Sequence, residues 1–202
     1  MLTEGENTLR IDNKWPEIAI FQTKNYRNAR VEAHNALFWM ARASHSFLEP
    51  TLGNSHLSLF WNEDNCDFRT SFLVEGCQIG LHLPDLELYF CDNEEKVPHS
   101  FWLDDRTPAF VEAWYLVELL HRGIEQEKFS TALPFESPDM LMGDTEDHNA
   151  SLFKTELTAM SECLSGAINI LKIVADQLAR HKGFANNQGQ ITLEPQSFTL
   201  MT

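Results

Sequence analysis

The period of the apolar residues changes along the chain. From about Asn28 to Leu48, the run "NARVEAHNALFWMARASHSFL" contains no Gly or Pro and places apolar residues on two sides. Val31, Phe38, Ala41 and Leu48 share one side, and Met40, Ala43 and Phe47 the other. This predicts a largely buried helix stopped by Pro50. The period then drops to two in "HLSLFW" (56–61), "FRTSFLV" (68–74), "CQIGLHL" (77–83), "LELYFC" (86–91) and "HSFWL" (99–103). Short polar breaks between short strands predict an antiparallel meander.

Helical spacing returns after Thr107-Pro108, a favourable N-cap and first helical position, and ends at Gly123. Phe110, Ala113, Trp114, Val117 and Leu120 form an apolar stripe there, expected to pack on the sheet. Residues 129–149 read as a loop with a short strand at "STALPF". A last helix is expected from near Ala150 to about His181, with Gly183 beyond it. Phe153, Leu157, Met160, Leu164, Ala167, Leu171, Val174 and Leu178 give it a heptad seam. At roughly 45 Å it exceeds one face of a domain this size. Either it bends near Ser165-Gly166 or part of the seam meets a second copy, making a homodimer through this helix. The tail carries an expected strand at "QITLE", either free or paired with a sheet edge.

These elements define an α+β fold: an antiparallel sheet of about five strands in a meander, packed by an N-terminal, a middle and a long C-terminal helix. Residues 1–183 read as one domain and 184–202 as a tail; 202 residues suit one core better than two. Thirty acidic against fifteen basic residues leave a charge of −15 with no Lys/Arg cluster, so neither nucleic acid nor an anionic membrane is an expected partner. The N-terminus lacks a signal-peptide pattern, and no apolar stretch reads as a membrane span. Cys66, Cys77, Cys91 and Cys163 form no C-x-x-C pair, which fits reduced thiols in a cytoplasm.

Candidate chemistry centres on "GDTEDH" (143–148). Asp144, Glu146, Asp147 and His148 could ligate a divalent ion, or one of the carboxylates could orient the imidazole as a general base. The same stretch also suits a helix N-terminus, with Asp147 or Asn149 as cap. His34 and His45 lie eleven residues apart, about 16 Å along one helix face, and cannot share a metal. Arg42 suits a carboxylate or phosphate. His56 alternates away from Leu57 and Trp61 and is expected to face solvent or a cleft. A metal site assembled from His34, His56 and His148 is geometrically possible but no local spacing marks one, and the cofactor stays open. P-loop, dinucleotide, zincin and nucleophile-elbow motifs are missing.

"WPEI" (15–18), His34 followed by Arg42, "NSHLSLFW" after Pro50, five strand segments and "DTEDH" before a long helix resemble, in order and spacing, a bacterial family of domains of unknown function. That family carries an early W-P, a T-L-H-x-W-T-Q-x-x-G-K-x-R helix, an N-H-W-W-H strand start and an F-x-E-D-x-x-H segment. The likeness spans roughly residues 15 to 182. It implies site positions at His34, Arg42, His56 and Asp144 to His148. Ala41 stands where the family has glycine and Ser44 where it has arginine, and the Trp-Trp pair is missing. The resemblance supplies no activity.

Three functions stay open. The first is small-molecule binding in a pocket between sheet and helices, with His34, Arg42, His56 and His148 as polar contacts. The second is metal-assisted or acid/base hydrolysis by His148 with Asp144 or Glu146. The third is oligomeric association through residues 153–178, with the 184–202 tail as a further contact.

Overall fold

The computed structural model describes residues 15–62, 65–137, 140–144, 146–182 and 192–201, the side chains of 176, 178–182 and 199–201 apart. The N-terminal ten residues, Thr145, the Leu178 side chain, Gly183 and residues 184–191 lie outside the described residues.

Helix α1 (Lys24–Phe47) begins earlier than its apolar pattern suggests, because the Thr23 hydroxyl accepts the Tyr26 N–H at 3.0 Å and caps it. Alanines at 29, 33, 36 and 43 are fully buried and let α1 approach its neighbours closely. A 3-10 turn, Leu52–Leu57, then takes up residues read as the start of a strand.

The sheet is antiparallel throughout, with strands β1 (Leu59–Asn62), β2 (Asp67–Arg69), β3 (Cys77–His82), β4 (Glu87–Asp92), β5 (Glu95–Lys96), β6 (Phe101–Trp102), β7 (Thr192–Glu194) and β8 (Thr199–Met201). Its order is β5-β4-β3-β2-β1-β7-β8, with β6 also on β4. Four of the five expected strands are β1 to β4, and the fifth, "HSFWL", forms only the two-residue β6; β5, β7 and β8 are also very short. Asn93 and Glu94 join β4 to β5 with φ of 52° and 70°, the geometry of a primed two-residue hairpin. Two paired residues show no alternation, so β5 leaves no mark in the sequence. In the tail, Leu193 pairs with Leu59 and is buried in the core. The segment "STALPF" is not a strand: its backbone is held to α1, where the Ser130 N–H donates to Ser46 Oγ at 2.9 Å and Arg42 Nε donates to the Thr131 carbonyl at 3.0 Å.

Thr107 caps α2 (Pro108–His121) through the Phe110 N–H. At its end Gly123 (φ 67°) and Ile124 donate to the carbonyls of Leu120 and Leu119, a Schellman closure. The buried face of α2 is Val111, Tyr115 and Leu119, whereas Phe110, Val117 and Leu120 of the expected stripe are exposed. This helix is apolar nearly all round, so its period cannot select which side packs.

Helix α3 (Lys154–Lys182) follows a 3-10 turn, Ala150–Phe153, and runs unbroken across Ser165-Gly166. Gly166 is there for a neighbour: a Cβ would lie 2.9 Å from the Trp15 ring. By length and composition Ala150–Ala175 could cross a membrane, contrary to the sequence reading, with a mean hydropathy of 1.3 in its richest window. In the fold, Leu157 and Met160 of this stretch belong to the core. Core side chains of all three helices join one cluster with Leu59, Phe68, Ile79, Leu81, Leu88 and Phe90 of one sheet face.

Candidate functional site

The six residues singled out by sequence occupy separate places, and no hydrogen bond or ion pair joins any two of them among the described residues. His34 Nε2 donates to the Pro195 carbonyl at 2.6 Å, tying α1 to the β7–β8 hairpin. Arg42 is buried, with its guanidinium 4.3 Å from the Trp39 ring centroid, and burial lowers its pKa to about 10. His56 is buried in the 3-10 turn instead of facing a cleft: its Nδ1 accepts the Thr51 N–H at 3.3 Å and its ring lies 5.8 Å from that of His45. Burial, then the neighbouring His45, pushes its pKa below the ordinary value.

Within "GDTEDH", Asp144 and Glu146 are exposed and His148 is fully buried. His148 Nδ1 donates to Glu32 Oε2 of α1 at 3.0 Å, and its backbone pairs with Asp105 and Arg106. Neither Asp147 nor Asn149 caps the helix that follows. Asp104 does so from another part of the chain, accepting the Ser151 N–H at 2.8 Å.

The sheet's other face, opposite the helices, holds a polar assembly. Asp67 and Arg69 alternate with Phe68, Gly80 and His82 with Ile79 and Leu81, and Glu87, Tyr89 and Cys91 with Leu88 and Phe90. Register places Asp67, His82 and Glu87 in one row and Arg69, Gly80 and Tyr89 in the next. Paired residues point to the same face, so these rows become neighbours in space. Tyr89 can lie across β3 because residue 80 has no side chain: a Cβ there would sit 2.7 Å from its Oη.

At the floor, Asp67 is 1% exposed. Its Oδ1 accepts Arg69 Nε at 3.1 Å and its Oδ2 accepts Arg69 Nη2 at 2.9 Å, a bidentate pair. The Tyr89 hydroxyl donates to the same Oδ2, and Arg69 Nη1 to Cys91 Sγ. Burial works against the Arg69 charge, but the hydrogen bonds and charge of Asp67 prevail and raise its pKa. Burial, reinforced by the bond to Asp67, raises that of Tyr89. The Cys91 thiol is pushed up to about 11 by burial, with Arg69 opposing, and Cys77 likewise to about 11; all four cysteines are free.

Around this floor opens a cleft of about 390 Å³, with Asn65, His82, Asp85, Glu87 and Lys96 at its rim. Lys96 Nζ donates to Glu87 Oε1 at 2.7 Å, and His82 Nδ1 lies 3.2 Å from Asp85 Oδ2. Glu87 Oε2, His82 Nε2 and the Asn65 amide have no protein partner among the described residues. The cleft thus has a rigid, satisfied floor and a rim with spare hydrogen-bonding groups. Sequence reasoning passed over it because each strand's polar phase reads as a solvated face. Gly80 inside a strand was the available signal.

No family model matches the chain, and no curated protein or solved structure matches it. The resemblance in spacing therefore assigns no role to any residue, and the geometry of this α+β chain carries the functional argument alone.

Proposed function

We propose that this protein binds a small polar molecule, neutral or cationic and rich in hydrogen-bond donors, in the cleft on the sheet face opposite the helices. One observation carries the reading: Asp67, Arg69, Glu87 and Tyr89 are all at most 9% exposed on that face, around an open cleft. Burying charge is costly, and a purely structural outer face is served by solvated side chains. An array locked by its own hydrogen bonds suits a preorganised binding floor. The sheet face that meets the helices carries the core side chains, so this reading places the ligand on the opposite side from the sequence expectation. Three carboxylates (Asp67, Asp85, Glu87) face two fixed cations (Arg69, Lys96), so the cleft favours donors over anions.

The test is a thermal-shift panel of amines, amino sugars and polyols beside phosphates and dicarboxylates, run on wild type, Glu87→Gln and Asn65→Ala. A ligand at a hundred times its Kd adds about 2.7 kcal/mol, roughly 5–10 °C for a chain of this size. Donor-rich ligands should raise Tm, and Glu87→Gln should abolish the rise. A rise with anions alone, or one unchanged in both variants, overturns the reading.

Self-association through α3 is a second reading, favoured by the change along its seam from buried Leu157 and Met160 to Val174, 44% exposed. Light scattering coupled to size exclusion should then show a dimer that Val174→Glu dissociates; a monomeric wild type rules it out.

A further inference from the structure

We propose that His99, Glu118 and His121 form a binding site for a divalent transition-metal ion of the Zn2+ class, remote from the cleft. Glu118 and His121 stand three residues apart on α2 and therefore project from the same side. His99 arrives from the β5–β6 loop in the left-handed region, with φ 76°. Its carbonyl accepts Trp114 Nε1 at 3.2 Å. Trp114 lies one turn before Glu118, so the indole holds His99 beside the other two.

Glu118 is nearly buried, its side chain 5% exposed, while those of His99 and His121 are 73% and 58% exposed. The carboxylate is divided between two tasks. Oε2 accepts Arg122 Nη1 at 2.7 Å, whereas Oε1 lies 3.9 Å from His99 Nδ1 and 3.8 Å from His121 Nδ1. Those separations are too long for hydrogen bonds. They are close to the edge of a tetrahedron around Zn2+, about 3.4 Å for ligands near 2.1 Å from the metal. The three ligand atoms all fall within 4.8 Å of one another, so small side-chain rotations close the set.

Arg122 places a positive charge nearby, which opposes a cation, but it is engaged with Glu118 and lies 3.5 Å from Asp92 Oδ1. There it orients the ligating carboxylate, as outer-shell partners do. Two imidazoles and one carboxylate suit Zn2+ and similar ions, not the all-oxygen demands of Ca2+ or Mg2+. The exposed histidines leave the fourth position to solvent. Bound metal would also clamp the β5–β6 loop onto the end of α2.

The experiment is calorimetric titration of Zn2+ into the metal-stripped full chain at neutral pH, for wild type, His99→Ala, His121→Ala and, as a control histidine outside both sites, His45→Ala. Wild type and His45→Ala should bind one equivalent, and the other two variants should bind about 100-fold more weakly or less. Co2+ bound in place of Zn2+ should give visible bands of low coordination number with no thiolate charge-transfer band. Absence of binding by wild type overturns the proposal, as does unchanged affinity in His99→Ala and His121→Ala. Should His121→Ala fail to fold, His99→Ala, which alters an exposed loop residue, decides alone.

Discussion

Gly80→Ala is the sharpest probe of the polar face, because the cost comes from a single contact. The added Cβ would lie 2.5 Å from Tyr89 Cε2 and 2.7 Å from its Oη, well inside van der Waals separation. The nearest atoms all belong to the Tyr89 ring and hydroxyl, so that ring must move, and it takes with it the hydrogen bond to Asp67. Overpacking costs about 1–3 kcal/mol, and losing a bond to a charged acceptor about 1.5–3 kcal/mol. Alanine regains about 0.5–1 kcal/mol over glycine in a strand. The balance is a loss of about 3 kcal/mol, or roughly 6–12 °C in Tm. Urea unfolding of wild type, Gly80→Ala, Tyr89→Ala and the double variant closes a cycle. With the ring gone, Gly80→Ala should be neutral or slightly stabilising, a coupling of about 3 kcal/mol. If Gly80→Ala costs the same in both backgrounds, the ring is not what excludes a side chain, and the argument for a preorganised floor fails with it.

Glu32→Ala should lower stability by about 2–3 kcal/mol, since it strands the His148 donor in the core. Asp144→Ala and Glu146→Ala should stay within about 0.5 kcal/mol, and urea midpoints that reverse this order would refute the placement of His148. Asp104→Ala should cost about 1 kcal/mol by uncapping the 3-10 turn that leads into α3, whereas Asn149→Ala should change the midpoint little. His56 titrates below its ordinary value in the fold, so under about pH 6.5 the unfolded chain binds a proton that the native chain refuses. Its contribution to stability is therefore complete above that pH and falls as pH drops toward the folded value. His56→Gln should flatten this acid limb of Tm against pH, and an unchanged slope would sink the assignment.

Much of the fold was legible in local pattern. Thr107-Pro108 and Gly123 bracket α2 as capping chemistry requires, and the seam from Phe153 onward marks α3. Alternation identified β1 to β4 and β6 within a few residues. The candidate site was not legible, because Asp67, Arg69, Glu87 and Tyr89 each look like ordinary outward-facing strand residues. Attention went to His148, whose acidic neighbours in sequence are not its partner in space.

The sequence by itself determined the three helices and the longer strands of the meander, since backbone capping, steric breaks and apolar period act over a few residues. Only the tertiary structure decided which side of the uniformly apolar α2 is buried, and that Asp104 caps the 3-10 turn leading into α3. It also aligned Asp67 with His82 and Glu87, brought the tail strand β7 to the edge of β1, and set Glu32 against His148. Register, burial and long-range partners follow from how elements pack against one another, and no local period encodes that choice.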